Sequence, residues 1–366
     1  MARIQRISGR FLGYDALGSY AIQAQKIRGD NLMPSTSFVS VVTPVYNGGK
    51  FLRECVESVL AQTHGDFEYV ILDNASTDET GEIAASYAAR DRRIRIHRND
   101  HTLPIIENWN RALTLISDDS GYCKVLHADD AMYPECLSKM LALGLSNSHA
   151  GVIGSLRLRG DEVECGGLPA GTGVYPGKEV ARLFLRQEIF SFAPTAGMVR
   201  SDIVRGRAPM FYPTKYLHAD LAGHFEILDK TYFGLVDEVL LFSRMHEDSI
   251  TSKVAVRKQT ILKDWLWMLQ QYGPRYFSPH ELTHVERAFL RRYYRLLIRA
   301  FLTGQDRAYF EFHMEGLRAA DRSPNFGDLC LAAVSELGTT VTNPVKLVRY
   351  LRTQEQRTSS EGRVHL

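Results

Sequence analysis

The segment Val39–Thr63, VSVVTPVYNGGKFLRECVESVLAQT, decides the predicted fold. It opens with β-favouring residues and continues through a proline, a tyrosine, an asparagine and two glycines, a composition typical of a tight turn. Apolar residues at the spacing of one helix face follow, namely Phe51, Leu52, Cys55, Val56, Val59 and Leu60. The segment therefore predicts a buried strand, a polar turn and an amphipathic helix.

The alternation of strands and helices continues to about residue 130. It is typical of βαβ units in a parallel sheet, in which ligands bind at the C-terminal ends of the strands. We therefore predict an α/β, Rossmann-like fold with a mostly parallel central sheet flanked by helices. The predicted strands are Val39–Thr43, Tyr69–Leu72, Ile94–Arg98 and Lys124–His127, and the predicted helices are Gly49–Thr63, Thr80–Arg90 and Ile105–Ile116.

Three regions are predicted along the chain: an N-terminal extension (1–36), an α/β domain (37–252) and a helical C-terminal region with a flexible tail (253–366). Helix breaks are expected near Gly273-Pro274, Gly304 and Pro324. The segment 152–158 is a further possible strand, and the glycine-rich segment 165–177 is predicted to be a loop or hairpin without phosphate-loop spacing.

The composition excludes several classes of protein. The formal net charge is +2 over 366 residues, which argues against a nucleic-acid binder. Five cysteines without CxxC spacing predict reduced thiols rather than a disulfide framework or a zinc site. No apolar run approaches the roughly 18–20 residues of a membrane span, and the N-terminus lacks a signal-peptide core. These features predict a cytoplasmic protein.

Carboxylates follow the predicted strands where an α/β sheet places its ligands. Asp73 follows the second strand, Asp129 and Asp130 follow the fourth, and Asp220 precedes a later helix. Helix capping is the alternative for the segment 76–78 and for Asp220, and the helix dipole is the alternative for Asp129 and Asp130. Adjacent carboxylates repel each other, however, and a divalent cation relieves that repulsion.

Several spaced motifs together resemble the family 2 glycosyltransferases, which have the GT-A fold. They are the run VSVVTPVYNGGKFLRECVESVLAQTHGDFEYVILDNASTDET, then NWNRAL and LHADDAMYPECL, with a weaker match in HADLAGHFEILDKTYFGLVDEVLLFSRMHEDSIT. The resemblance implies transfer of a sugar, with inversion, from a nucleotide-diphosphate sugar to an acceptor hydroxyl. Residues 37–132 would bind the donor, and residues 150–252 would form the acceptor side.

The resemblance also implies roles for individual residues. Contacts to the base, ribose or donor sugar fall on Pro44, Tyr46, Asn47, Asp73 and Asp129. Asp130 would bind Mn²⁺ or Mg²⁺, and His246 would be a further metal or diphosphate contact. The chain departs from the family at His127, where many relatives have aspartate, which puts the donor-sugar contacts in question. Lys124 and Arg111 are expected on the surface.

Asp220 resembles the general base of the family, which normally follows a glutamate. Here Ala219 takes the place of that glutamate, and His218 and His224 flank the site. A positioned base is needed because the acceptor hydroxyl must lose its proton as it attacks. His224 is expected on the surface of the helix.

The segment Val285–Leu302 predicts an amphipathic helix with arginines at 287, 291, 295 and 299. Such a helix can lie on an anionic membrane, which would suit a lipid-linked saccharide acceptor at the inner membrane face. The alternative is a packed helix with a solvated basic face. Two further alternatives for the whole protein are a catalytically degenerate scaffold or sugar-binding protein and a nucleotidyltransferase, although TPVYNGG lacks the basic residues of the latter.

Overall fold

The computed structural model describes residues 36–189, 194–214, 217–246 and 259–341. Nearly all of the predicted N-terminal extension and the predicted tail lie outside these ranges. The ten strands of the described residues are β1 (Val39–Val45), β2 (Phe67–Asp73), β3 (Ile94–Arg98), β4 (Tyr122–Val125), β5 (Ala131–Met132), β6 (Ala150–Arg159), β7 (Glu162–Glu164), β8 (Gly173–Pro176), β9 (Gly197–Arg200) and β10 (Tyr232–Ser243).

The described helices alternate with the strands in the first half of the chain and follow one another in the second half. They are α1 (Gly49–Leu60), α2 (Thr80–Ala88), α3 (Ile105–Leu113), α4 (Cys136–Ser146), α5 (Gly177–Leu185), α6 (Ser201–Arg207), α7 (Ala219–Leu228), α8 (Ile261–Tyr276), α9 (Pro279–Leu302), α10 (Arg307–Ala319) and α11 (Phe326–Val341).

One sheet connects the strands in the order β3-β2-β1-β4-β9-β6-β10-β5, with β7 beside β6 and β8 beside β10. Strands β3, β2, β1 and β4 are parallel, and β6 and β10 are parallel to each other. Strand β9 joins the two groups by antiparallel pairing. The predicted α/β fold with a C-terminal set of helices is confirmed, and the second half of the sheet is more mixed than the first.

The parallel strands β1 and β2 are buried along their whole length. Uninterrupted apolar runs are what a parallel sheet requires when helices cover both of its faces. In the shared register, Val45 lies opposite Asp73, so the two strands end at the same edge of the sheet. Strand β4 pairs with the other side of β1. The segments that follow β1, β2 and β4 therefore meet at one edge.

The strand and helix predictions need two corrections. Strand β4 ends at Val125, so His127 lies in the following loop rather than in the strand. Helix α8 continues through Gly273 and Pro274 to Tyr276. The proline lies in the last turn, and packing fixes that turn because the Tyr276 hydroxyl donates to the backbone oxygen of Phe225. The breaks predicted near Gly304 and Pro324 are confirmed.

The basic helix α9 packs against the other C-terminal helices. Its apolar face is buried through residues such as Phe289, Tyr293 and Leu297. Arg295 and Arg299 both pair with the buried Glu336 of α11, at 3.3 and 2.6 Å. The other two arginines of the stripe, at 287 and 291, are exposed. Within the described residues, no helix is both long enough and apolar enough to cross a membrane.

Candidate active site

The turn between β1 and α1 is held from outside by the loop between β2 and α2. Three consecutive backbone N–H groups, at residues 47–49, donate in order to Ser76 Oγ at 2.9 Å, Thr80 Oγ1 at 2.9 Å and Asp78 Oδ2 at 3.0 Å. We expected the segment 76–78 to cap α2. Instead α2 begins after Glu79 with no side-chain cap, and the acceptors of this loop satisfy the turn and the start of α1.

This arrangement explains why the turn carries glycines. A Cβ on Gly48 would lie 2.4 Å from Cγ2 of Val45, and a Cβ on Gly49 would lie 2.6 Å from Cδ of Glu79. Asn47 adopts a positive φ of 49°, and its Oδ1 accepts from the backbone N–H of Thr77 at 2.8 Å. The turn is therefore tightly packed and its backbone donors are occupied.

The predicted base-contacting residues lie around this turn. Pro44 is buried within β1, whereas Tyr46 is 51% exposed. Asp73 is buried at the end of β2, where its Oδ1 accepts from the backbone N–H of Ser76 at 2.8 Å. Its Oδ2 accepts from Arg98 of β3. Sequence reasoning missed Arg98, although the pairing of β2 with β3 brings it opposite Asp73.

The NWNRAL motif joins several parts of the site. Asn110 exchanges two hydrogen bonds with the backbone of Tyr212, at 2.8 and 2.7 Å, and so fixes α3 to the segment before α7. Asn108 accepts from Asn99 at 2.9 Å. The ring of Trp109 stacks on His127, with 4.9 Å between ring centroids and 27° between planes. This motif therefore orients the imidazole that follows β4.

A compact group of possible metal ligands follows β4. His127, Asp129 and Asp130 each offer a ligand atom, and these atoms lie within 4.8 Å of one another. Asp130 is buried, accepting from Ser243 Oγ at 3.1 Å and from the backbone N–H of Arg244 at 3.3 Å. Burial raises the pKa of the Asp130 carboxyl, and His127 opposes this rise. The replacement of the family's aspartate by His127 was expected to affect the donor-sugar contacts, and the structure places His127 among the possible metal ligands.

His246 contacts the same group through Asp129. Its Nε2 lies 3.0 Å from Asp129 Oδ2, and its ring lies 4.8 Å from the ring of Phe51 on α1. Arg244 donates to Glu54 of α1 and lies over the Phe51 ring at 4.7 Å. The segment after β10 is thereby held against α1, on the donor side of the site.

Asp220 lies in the first turn of α7, two residues after the N-cap position that His218 occupies. Burial raises the pKa of the Asp220 carboxyl, and His218 and His127 each lower it. His127 thus acts electrostatically on both Asp130 and Asp220. The start of α7 therefore lies near the loop after β4, and the assignment of both to one site stays a prediction.

Two expectations about polar residues are wrong. His224 is buried rather than on the helix surface, and burial, with Arg207 nearby, lowers the pKa of its imidazole to about 4. Lys124 is also fully buried, and its ammonium donates to the backbone oxygens of Thr195 and Gly197. It crosslinks β4 to the segment before β9 and does not face the surface or the site.

Comparison with known proteins agrees with this geometry. Residues 40–206 match the family model described as Glycosyl transferase family 2. The matched segment, a little under half of the chain, is thus a family 2 glycosyltransferase domain, and the described residues have the GT-A fold. The match covers the segments after β1, β2 and β4, whereas Asp220 and His246 lie beyond it.

Individual relatives match over limited lengths. The chain is 34% identical over 131 residues to the putative glycosyltransferase EpsE of Bacillus subtilis, covering 36% of this chain and 46% of that protein. It is 33% identical over 95 residues to the glycosyltransferase GlyG of Streptococcus pneumoniae, covering 26% and 31%. The chain thus matches less than half the length of these relatives.

Two solved structures show the same fold. S. aureus TarS 1-349 in complex with UDP-GlcNAc superposes with a TM-score of 0.61 at 14% identity, covering 77% of this chain and 80% of that one. The mannosyltransferase PcManGT from Pyrobaculum calidifontis, in complex with GDP-Man and Mn²⁺, superposes with a TM-score of 0.51 at 11% identity, covering 88% and 86%.

Proposed function

We propose that this protein transfers a sugar, with inversion, from a nucleotide-diphosphate sugar to the hydroxyl of a saccharide or lipid-linked saccharide. The observation that supports the proposal is the position of His127, which lies in the metal-ligand group with Asp130 and is linked to the segment before α7 by Trp109, whose ring contacts both His127 and Tyr212. Groups suited to the leaving diphosphate and to the attacking hydroxyl are thereby neighbours. The nucleotide sugars bound to the two structural neighbours support the donor class.

The residues present fit a divalent cation. Nε2 of His127 and Nδ1 of His246 are buried without a hydrogen-bond partner among the described residues, and ring nitrogens in that state are suited to ligate a metal. Asp130 would hold Mn²⁺ or Mg²⁺ with His127 and Asp129 beside it, and His246 would support Asp129. Such an ion supplies Lewis-acid neutralisation of the charge that develops on the diphosphate.

The donor base would lie over the β1–α1 turn. Asp73 and Arg98 together present a carboxylate and a guanidinium at this edge, so an acceptor and a donor of hydrogen bonds are available to read a base. Tyr46 is exposed and suited to stack on the base, and Asn47 and Pro44 shape the turn beneath it. The rigid turn reduces the ordering needed on binding.

The acceptor hydroxyl would be activated at the start of α7, where we assign the catalytic role to Asp220. Burial keeps water from competing for this carboxylate and raises its pKa, which brings it closer to the range in which a carboxylate is an effective base. Its proximity to the metal-ligand group lets an attacking oxygen approach the anomeric carbon from the side opposite the diphosphate.

Two other predictions stand outside this proposal. Membrane contact through Val285–Leu302 stays a prediction, because half of its arginine stripe pairs with Glu336 and the packed-helix alternative fits that pairing. A degenerate scaffold is less well supported, because Asp130 and Asp220 are both present and lie in one site.

Thermal unfolding with a panel of nucleoside diphosphates, with and without Mn²⁺, tests the proposal. A ligand present at a hundredfold excess over its Kd stabilises the folded protein by about 2.7 kcal/mol. We expect one nucleotide to raise the midpoint only with Mn²⁺. Asp130→Asn removes the charge but keeps one oxygen acceptor for Ser243 or Arg244, and should abolish this rise. Asp119→Ala, an exposed change, is the control.

The outcomes are distinct. A midpoint that no nucleotide raises contradicts the donor assignment and favours a degenerate scaffold. A rise that persists without metal, or in Asp130→Asn, contradicts only the metal assignment. A rise that satisfies both conditions identifies the base and selects the donor sugars to assay.

A further inference from the structure

A histidine–carboxylate pair lies beside the proposed catalytic carboxylate. Asp264 of α8 accepts through one oxygen, Oδ2, from the backbone N–H of His218 at 3.1 Å and from the ring at Nδ1, 2.8 Å away. The Asp264 side chain is 7% exposed, whereas that of His218 is 21% exposed. A buried carboxylate therefore fixes a histidine that faces the site.

The pair is built by packing between α8 and α7. Further along α8, the ring of Tyr272 stacks on Phe225 at 5.4 Å, and the Tyr276 hydroxyl donates to the backbone oxygen of Phe225. Asp264 lies in the first turn of α8, where the helix dipole favours a negative charge. The carboxylate is consequently held in place at the N-terminal end of α7.

The hydrogen bond also selects the form of the ring. Nδ1 must carry the proton to donate to Asp264, which leaves Nε2 of a neutral imidazole with a free lone pair. Within the described residues, the hydrogen bonds of His218 run through its backbone N–H and Nδ1, and none involves Nε2. A carboxylate that holds a histidine by Nδ1 is the arrangement that prepares an imidazole to accept a proton at Nε2.

The local sequence differs from the related family at this point. Where family members have a glutamate before the catalytic aspartate, this chain has Ala219, and His218 precedes it. Asp220 and His218 lie close enough for the imidazole to lower the pKa of the carboxyl. Position 219 therefore lacks a carboxylate in this chain. The residue before it, His218, instead pairs with Asp264.

We propose that His218 is a second catalytic residue on the acceptor side, and that Asp264 is its positioning residue. This inference rests on the proposed function and moves the proton-accepting role from Asp220 to His218, which leaves Asp220 as a carboxylate that stabilises the imidazolium. The hydroxyl O–H bond breaks and its proton moves to Nε2 of His218. The oxygen forms the new bond to the anomeric carbon, and the electron pair of the broken bond to the donor leaves with the nucleoside diphosphate. Asp264 and Asp220 stabilise the imidazolium.

Matched variants separate this role from a structural one. His218→Asn places an amide N–H where Nδ1 lies, so it keeps the bond to Asp264 and removes Nε2. Asp264→Asn keeps an oxygen acceptor for both His218 donors and removes the charge. His284→Asn, an exposed histidine on α9, is the control. All variants are compared in the full chain with Mn²⁺, with UDP-GlcNAc and GDP-mannose as probes and water as the acceptor.

We expect His218→Asn to lower donor hydrolysis about a hundredfold or more, the usual contribution of a general base. Asp264→Asn should cause a smaller loss, and the double variant should be no worse than His218→Asn.

Imidazole ¹⁵N NMR provides a readout that needs no turnover. In the resting wild type we expect His218 to carry its proton on Nδ1, and Asp264→Ala should abolish that preference. A resting proton on Nε2 overturns the proposal even where neither probe is hydrolysed.

A His218→Asn rate within about threefold of wild type also overturns it. If a nucleotide with Mn²⁺ still raises the thermal midpoint of His218→Asn, the donor site is intact. The proposed function then stands even where the inference about His218 fails.

Discussion

Replacing Asp78 with alanine tests whether the β2–α2 loop holds the β1–α1 turn. Asp78 Oδ2 accepts from the backbone N–H of Gly49, and Oδ1 accepts from the backbone and the hydroxyl of Thr80, at 3.1 and 2.5 Å. Thr80 in turn accepts from Gly48. The variant removes an acceptor from the first turn of α1 and releases the threonine that holds the neighbouring residue.

The expected loss follows from these contacts. Removing a side-chain acceptor from a helix N-terminus costs about 1 kcal/mol, and the hydrogen bond to the Thr80 hydroxyl adds about 0.5–1.5 kcal/mol in general. Asp78 is exposed, so water replaces part of what is lost. We expect the free energy of unfolding to fall by about 1–2 kcal/mol. Asp78→Asn, which keeps one of the two acceptor oxygens, should lose about half as much.

Urea unfolding followed by circular dichroism measures this loss as a lower midpoint with an unchanged slope. Burial opposes ionisation of Asp78, but the bonds from Thr80 and Gly49 prevail and lower its pKa. A depressed pKa stabilises the fold above the unfolded value of about 3.9, and that stabilisation is lost as the pH falls through the folded pKa. The difference between wild type and Asp78→Ala should be constant from pH 6 to 8 and shrink below about pH 4.

Asp119→Ala is the control, because Asp119 is an exposed aspartate in a turn outside this contact. The reasoning is refuted if Asp78→Ala and the control both lie within about 0.3 kcal/mol of wild type. Since Tyr46 and Asn47 belong to the same turn, Asp78→Ala should also weaken nucleotide binding. A loss of stability without weaker nucleotide binding would show that the turn does not contribute to the proposed base site.

Three further predictions concern the metal group and α9. Mn²⁺ bound to the wild type should show ¹⁴N couplings in pulsed EPR that weaken in His127→Asp. This variant should also bind Mg²⁺ better, because carboxylates are preferred ligands of Mg²⁺. Unchanged couplings would contradict ligation by His127. Glu336→Gln should lower the free energy of unfolding by about 2 kcal/mol in urea, less than for a fully buried pair because the arginines are partly exposed. If α9 contacts an anionic membrane, Arg287→Glu with Arg291→Glu should abolish sedimentation with phosphatidylserine vesicles, and equal sedimentation would exclude these two residues.

The first half of the fold was predictable because its signals are local. In β1 and β2 every residue is buried and most are apolar, and the buried polar residues Ser40 and Glu68 are hydrogen-bonded to each other at 2.6 Å. The same locality explains the failures. Ser76 and Asp78 precede a helix and match a capping pattern, and Asp78 does accept from the N–H of Thr80 in α2, but both side chains also accept from N–H groups 29 residues earlier in the chain. A capping pattern identifies acceptors, and only the fold determines which donors reach them.

Polarity alone predicted a surface position for two charged or titratable side chains that are in fact buried. Lys124 lies in β4 between β1 and β9, and two backbone oxygens that only the tertiary fold brings together satisfy its ammonium. His224 occupies the buried side of α7, where its pKa is lowered to about 4 and the ring is neutral at physiological pH. In both cases burial depends on neighbours that are distant in sequence.

In the candidate site, likewise, sequence motifs predict some residues and cannot identify others. The sequence predicts Asp130 and Asp220 in one site, because each lies in a motif of its own. It could not identify Asp264, which lies 46 residues from its partner His218, in a helix that matches no motif. The C-terminal helices looked like an appendage, yet α8 contributes a buried carboxylate, a stacked ring and a hydroxyl bond to α7. The start of α7 therefore has its geometry only with α8 in place, and the acceptor side of the site depends on residues beyond the family motifs.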